Sequence, residues 1–265
     1  MYLNYWGLHS PPFVNAPNGN LLFLSPQHEE ALSRLKYVLQ YRKGVVMISG
    51  EVGCGKTTLV RAMPHHLPEG RYRVHLIPNP ALTPIDLIRS VLMQFGGNAE
   101  SDSKAILLDR VQKILKTRAS QGIETVLAID EAHVIAENAT LDELRMLLNI
   151  QSEEEFLITL VLLGQPPLLT RISQLHPLNE RVSMKIRIDP LDLVQTGRYI
   201  LYRLRQAGAG RGIFSKEAVL DILEIAGGIP LRINNICDRS LLIGMMEKSS
   251  LVTRKIVRTA RVDLG

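Results

Sequence analysis

Residues 50–57 read Gly50-Glu51-Val52-Gly53-Cys54-Gly55-Lys56-Thr57, with Thr58 directly after. Glycines at the first, fourth and sixth positions permit turns and a close main-chain approach that a Cβ would obstruct. The amides of such a loop, with the start of a following helix, aim partial positive charge at one point and suit a phosphate group. Lys56 adds a full charge for the β- and γ-phosphates, and the Thr57 hydroxyl is an oxygen donor for Mg²⁺. The predicted chemistry is capture of Mg-ATP. The run matches G-x-x-x-x-G-K-[ST] in full. From average residue usage those fixed positions coincide by chance in roughly one chain in a hundred of this length. The loop therefore reads as a phosphate-binding loop spanning Gly50, Glu51, Val52, Gly53, Cys54, Gly55, Lys56, Thr57 and Thr58.

A second chemical feature is Val126-Leu127-Ala128-Ile129-Asp130-Glu131, an apolar run ending in two carboxylates. A strand that delivers an acid at its C-terminal end places it where open α/β sheets bind ligands. Asp130 is the expected Mg²⁺ ligand, and Glu131 the residue that orients and deprotonates an attacking water. Asp130-Glu131-Ala132-His133 also spells the DEAH tetrapeptide of one helicase class, but that class needs a second ATPase-like domain for which 265 residues leave no room. His133 reads instead as a switch or polar support residue. Three further positions extend the set. Gln165 follows the apolar run ending Leu163-Gly164 and would touch the γ-phosphate or the water. Arg181 precedes a later strand and would sit at a subunit edge, serving a neighbour's nucleotide. Arg232, after Gly227-Gly228-Ile229-Pro230-Leu231, could report on the phosphates from a helix start.

These residues require a layered α/β scaffold. Strands are expected at Val45–Ser49, Arg73–Ile77, Thr125–Ile129, Leu157–Leu163 and Met184–Ile188. Several are near-continuous aliphatic runs, as in a parallel sheet covered on both faces. Helices fall between them, at Lys56–Met63, Pro84–Phe95, Lys104–Ala119 and Leu141–Asn149, the alternation of an α/β domain. Upstream, Pro11, Pro12, Pro17, Asn18 and Gly19 form an irregular lead, and Ser25-Pro26 opens a helix with an Ala31, Leu32, Leu35, Val38, Leu39 stripe. After Pro190 only helices are expected: Leu193–Gln206, Lys216–Ala226, Leu231–Glu247 and Thr253–Val262. The domain reading is 1–190 for the ATPase part with its N-terminal segment and 191–265 for a small helical lid, with the boundary near Asp189–Leu191.

Composition bounds the remainder. Hydrophobic residues make up 46% and charged residues 22%, an ordinary globular balance. The net charge of +5 is compatible with nucleic acid, an anionic surface, or solubility alone. Two cysteines, Cys54 and Cys237, do not indicate a disulfide framework and suit a reducing cytoplasm. No run is long enough to span a bilayer as a helix.

In order along the chain stand the phosphate loop, an extra strand, the acidic pair, a sensor strand, an arginine and a helical lid. This order resembles the AAA+ ATPases, and more narrowly the ExeA/GspA group of secretion-associated ATPases. The likeness is carried by Tyr5-Trp6-Gly7-Leu8 with Pro12-Phe13, Leu22–Pro26 with His28-Glu29-Glu30-Ala31-Leu32, and Gly50–Thr58. It continues through Asn79-Pro80, Asp130-Glu131-Ala132, Leu163-Gly164-Gln165-Pro166, Gly227–Pro230 and Cys237-Asp238-Arg239. It implies a P-loop NTPase sheet in the order 5-1-4-3-2 and a homo-oligomer, ring or filament. It also implies that Tyr5–Phe13 helps enclose the adenine. One departure is visible: the group usually has arginine directly after the Gly-Gly-Ile-Pro proline, where this chain has Leu231 and then Arg232. The resemblance leaves two tasks open. One is ATP-driven assembly or remodelling of a secretion, pilus or envelope machine through a partner protein. The other is ATP-dependent binding of duplex DNA that guides a transposase to its target. Arg254, Lys255, Arg258 and Arg261 on the last helix suit the second; the N-terminal and lid motifs favour the first.

Overall fold

A computed structural model describes residues 2–15, 22–101, 103–152 and 155–262; Pro17, Asn18 and Gly19 of the irregular lead lie outside them. The chain runs α1 (Tyr2–Trp6), α2 (Pro26–Gln40), β1 (Val45–Gly50), α3 (Lys56–Ala62), β2 (Tyr72–Ile77), α4 (Pro84–Gln94), α5 (Lys104–Ser120) and β3 (Glu124–Ile129). It continues through α6 (Asn138–Leu148), β4 (Ile158–Gly164), α7 (Pro167–Gln174), α8 (His176–Asn179), β5 (Val182–Ile188), α9 (Leu193–Gln206), α10 (Lys216–Ala226), α11 (Pro230–Met246) and α12 (Arg254–Val262).

Two compact units emerge. The sheet unit comprises His28–Gly50 and Leu59–Ile188. Its five strands are parallel and ordered β2-β3-β4-β1-β5, the order 5-1-4-3-2 read from the other edge. Met47, Leu127 and Leu162 point into one core with Leu87, Leu107 and Leu144. The alternate set, Val46, Ile48, Val126, Ala128, Val161 and Leu163, is also wholly buried. Both faces of the sheet are therefore covered, which accounts for the unbroken aliphatic runs. Pairing Ile129 with Leu162, and Gly164 with Ser49, brings the C-terminal ends of β3, β4 and β1 level at one edge. Gly50 is required where β1 meets β5, since a Cβ there would lie 2.4 Å from the Ile188 carbonyl oxygen.

The second unit holds Met1–Gln27, Glu51–Thr58 and Asp189–Gly265. The C-terminal part of this unit begins at Asp189, and the N-terminal segment groups with the C-terminal helices. Trp6, Leu8 and Phe13 are buried with Tyr199, Ile233 and Leu241. Trp6 donates its indole N–H to the Leu241 carbonyl at 2.9 Å. Arg203, almost fully buried, donates to the carbonyls of Pro12 and Val14 at 2.6 and 2.8 Å. A buried guanidinium is tolerated because its N–H groups meet main-chain acceptors. In α10, Ser215 accepts from the Ala218 amide at the start and Gly227 (φ 60°) closes the end, matching each residue's backbone preference. Among the described residues no helix is long and apolar enough to cross a membrane.

Candidate functional site

The loop after β1 has the backbone that its glycines permit. Gly53 and Gly55 lie at φ 85° and 93°, conformations that L residues rarely adopt. At Gly53 a Cβ would also meet the Leu231 side chain at 2.5 Å. The Leu231 amide donates to the Gly53 carbonyl at 3.3 Å. Lys56 is buried and turns back on its own loop, donating from Nζ to the Glu51 carbonyl at 3.0 Å. Cys54 is buried beneath the turn, and burial raises its thiol pKa, so it stands as a neutral packing group. Val52 at the loop's tip is half exposed. Two glycines in left-handed conformations around an inward-turned lysine suit a phosphate cradle.

At the C-terminal edge of the sheet, β3 ends at Ile129 and delivers Asp130, whose amide donates to the Ile77 carbonyl at 2.9 Å. Asp130 is 5% exposed, and its Oδ1 accepts from the Glu131 amide at 2.9 Å. Glu131 itself sits at φ 49°, ψ 35°. A non-glycine residue in this left-handed region carries strain of roughly 1–3 kcal/mol and is characteristic of functional sites. A 3₁₀ turn, Ala132–Val134, follows. It brings His133 back, so that Nδ1 lies 3.3 Å from Glu131 Oε2 and Nε2 lies 2.9 Å from Gln165 Nε2. Gly164 at the end of β4 makes room, because a Cβ there would sit 2.7 Å from Leu168 Cδ2 and 3.4 Å from His133 Nδ1. Behind the acids, Arg171 of α7 donates to the carbonyls of Ile135 and Ala136 and to Asn138 Oδ1. Three acceptors on one guanidinium fix the segment that follows the acidic pair.

Asp130, Glu131 and Gln165 thus share one edge of the sheet, and Gly50, where the phosphate loop begins, ends a strand at the same edge. Arg181 lies elsewhere. It precedes β5, its carbonyl accepts from the Val45 amide at 3.2 Å, and its guanidinium stands 5.6 Å from the Phe156 ring centroid. That is the N-terminal edge of the sheet, about 20 Å from the acids at ~3.3 Å per strand residue. Arg232 is exposed on the first turn of α11, while Leu231 takes the place against Gly53. On α12, Arg254 and Arg258 both pair with the buried Asp221, at 3.0 and 2.7 Å. Half of that helix's basic set is therefore already engaged, leaving Lys255 and Arg261 as its other exposed cations.

Sequence reasoning named the acids and Gln165 but not the Glu131–His133–Gln165 contact, the Arg171 clamp or the seat of Leu231. The only local signal for the first was a histidine two residues beyond the acid pair, opposite a glycine at a strand end.

A parallel sheet ordered 5-1-4-3-2, a phosphate loop directly after β1 and a carboxylate pair at the C-terminal end of β3 define a P-loop NTPase. The family described as AAA domain matches residues 39–172, about half of the chain, and the chain belongs to that family. It is similar to General secretion pathway protein A of Aeromonas hydrophila, with 34% identity over 269 residues, covering all of this chain and 49% of that protein. The chain spans about half the length of that relative. Among solved structures it is similar to Drosophila ORC bound to DNA, with a TM-score of 0.73 and 20% identity over 98% of this chain and 65% of that one. It is also similar to the Thermotoga maritima RuvB Holliday junction branch migration motor, at 0.59 and 20% over 88% and 67%. At such identities these structures establish the fold alone.

Proposed function

We propose that this chain binds and hydrolyses Mg-ATP as one subunit of a homo-oligomer, in the cytoplasm, to drive assembly or remodelling of a secretion, pilus or envelope machine. The observation that carries the reading is the gathering of Asp130, Glu131 and Gln165 at the strand ends from which the phosphate loop springs. The loop amides and Lys56 hold the phosphates, with Arg232 assigned to sense them from α11. The Thr57 hydroxyl and the Asp130 carboxylate are the hard oxygen donors for Mg²⁺, which when bound neutralises charge on the phosphate oxygens. Glu131 takes a proton from water as the water oxygen bonds to the γ-phosphorus and the bond to the bridging oxygen breaks. Gln165 orients that water. The machine is inferred from the likeness of this chain to about half of General secretion pathway protein A.

The test is phosphate release from ATP with and without duplex DNA at two salt concentrations. Turnover indifferent to DNA is expected. Stimulation that fades steeply with salt would favour the DNA-guided transposition role instead, resting on Lys255 and Arg261. Absence of turnover in every condition would overturn the hydrolase assignment.

The position of Arg181 at the far edge of the sheet supports its service to a neighbouring subunit. Arg181→Ala alone is expected to lose turnover by about 10³-fold, the scale of an arginine finger. Lys56→Ala protein has no active site of its own but still donates Arg181. Mixing the two equally should restore about a quarter of the interfaces if they assemble at random in a closed ring. A mixture as inactive as its components would remove Arg181 from the trans role.

A further inference from the structure

We propose that His133 is a positioning residue for hydrolysis, holding the Glu131 carboxylate and the Gln165 amide in fixed relation through the two nitrogens of one imidazole. The inference rests on the assignment of Glu131 as base. The ring has Glu131 Oε2 3.3 Å from Nδ1 and Gln165 Nε2 2.9 Å from Nε2. A neutral imidazole has one donor and one acceptor nitrogen. The carboxylate can only accept, so Nδ1 carries the proton, and Nε2 is left to accept from the Gln165 amide N–H. The Gln165 main-chain N–H also points at Nδ1, at 3.5 Å. It loses this competition because the carboxylate is nearer and charged.

This polarity has two consequences at the sheet edge. Glu131 is 39% exposed and its backbone is in the left-handed region, so little besides the ring restrains its carboxylate. His133 is the more buried partner, at 19%, and it is held beside Gly164, where a side chain would crowd it. The second consequence concerns Gln165. One of its N–H bonds is spent on His133, so its amide oxygen and second N–H are the groups available to a water molecule. The ring thereby selects which way the amide is flipped. The base that takes a proton from the water is Glu131, and His133 only positions it.

Three variants separate this role from packing. His133→Phe keeps the ring and removes both nitrogens. His133→Asn keeps a donor near the place of Nδ1. His133→Ala removes both ring and polarity. Turnover of ATP should fall about 30- to 100-fold in the phenylalanine and alanine forms, with KM within about two-fold of the parent. The asparagine form should recover at least a third of the lost rate on a logarithmic scale. In a Glu131→Gln background His133→Phe should cause a much smaller further loss than in the parent, since no carboxylate remains to be positioned and only the hold on Gln165 is lost. A phenylalanine form as fast as the parent, or an asparagine form no faster than the phenylalanine one, overturns the proposal. A readout independent of turnover is the ¹⁵N spectrum of the imidazoles, with the His133 signals assigned by their loss in His133→Asn. Protonated Nδ1 with bare Nε2 is expected, and the opposite tautomer refutes the assignment. If the parent turns over and Glu131→Gln does not reduce the rate, it is the base assignment that fails. If Glu131→Gln abolishes turnover while His133→Phe leaves it intact, only the role of His133 fails.

Discussion

Lys56→Ala is expected to yield a folded protein whose affinity for ATP is weaker than that of the parent by roughly 30-fold or more. Lys56 is the one full positive charge carried by the loop Gly50–Thr57, and it is buried with its ammonium turned onto the Glu51 carbonyl. A charge held in that place has already surrendered most of its water, so its exchange of a neutral carbonyl for phosphate oxygens gains a charge-assisted bond at little extra desolvation. Removing one member of a buried, hydrogen-bonded charge pair costs about 2–5 kcal/mol, or roughly 30- to 4,000-fold in affinity. Folding should survive. The two loop glycines at positive φ and the contact of Gly53 with Leu231 do not involve the ammonium, and truncation leaves the Glu51 carbonyl in an open loop where water can reach it. Calorimetric titration with ATP, beside a thermal melt of the same sample, reads both quantities. Unchanged affinity would remove this loop from phosphate binding.

What the sequence made legible was whatever depends on near neighbours. The loop motif spans eight consecutive residues, and its backbone follows from glycine's freedom. The three inner strands β1, β3 and β4 are short, largely aliphatic runs bounded by turn residues, and all five strands lie within a residue or two of their expected spans. Helices α9 and α10 coincide with their expected spans because their caps, Asp192 and Ser215, stand directly before an amphipathic stripe. The illegible parts are of another kind. Helices α7 and α8 are short and are divided near Leu175–Pro177, so neither is long enough to display a helical period. From the sequence, the N-terminal segment reads together with the ATPase part as residues 1–190. It packs instead on helices some 190 residues away, where Arg203 meets the Pro12 and Val14 carbonyls. No local pattern encodes such a partner. The basic stripe of α12 shows the same limit, because Asp221, which occupies Arg254 and Arg258, lies on another helix.

The candidate site divides in the same way. Asp130 and Glu131 were legible because a strand ending in acids is a local feature, and Gln165 because it ends another strand. Their meeting through His133 depends on β3 and β4 being neighbours in register, with Ile129 opposite Leu162. It depends equally on a left-handed backbone at Glu131 that no residue preference announces. A charged, non-glycine residue in that region is disfavoured unless its surroundings over-determine it. Here they include the Asp130 carboxylate accepting the Glu131 amide, and the Arg171 clamp on the segment behind. The effect is to turn the Glu131 side chain out of the strand's alternation and toward His133.

That geometry makes Glu131→Gln the sharper test of chemistry as opposed to binding. The substitution preserves shape and leaves an amide oxygen that can still accept from His133 Nδ1, so the sheet edge should keep its arrangement. It removes the one property assigned to Glu131, the capacity to take a proton from water. Affinity for ATP is expected to stay within about three-fold of the parent, because Glu131 makes no contribution to the phosphate loop. Turnover should fall about 10²- to 10⁴-fold, the usual contribution of a positioned general base, and any assembly that requires bound ATP should persist instead of decaying. A single-turnover measurement of phosphate release, with ATP binding followed in the same mixture, separates the two effects. If both rate and affinity fall together, Glu131 contributes to holding the nucleotide. If the rate is retained, proton removal belongs to another group at this edge, and the assignment of Glu131 as base fails while that of the loop stands.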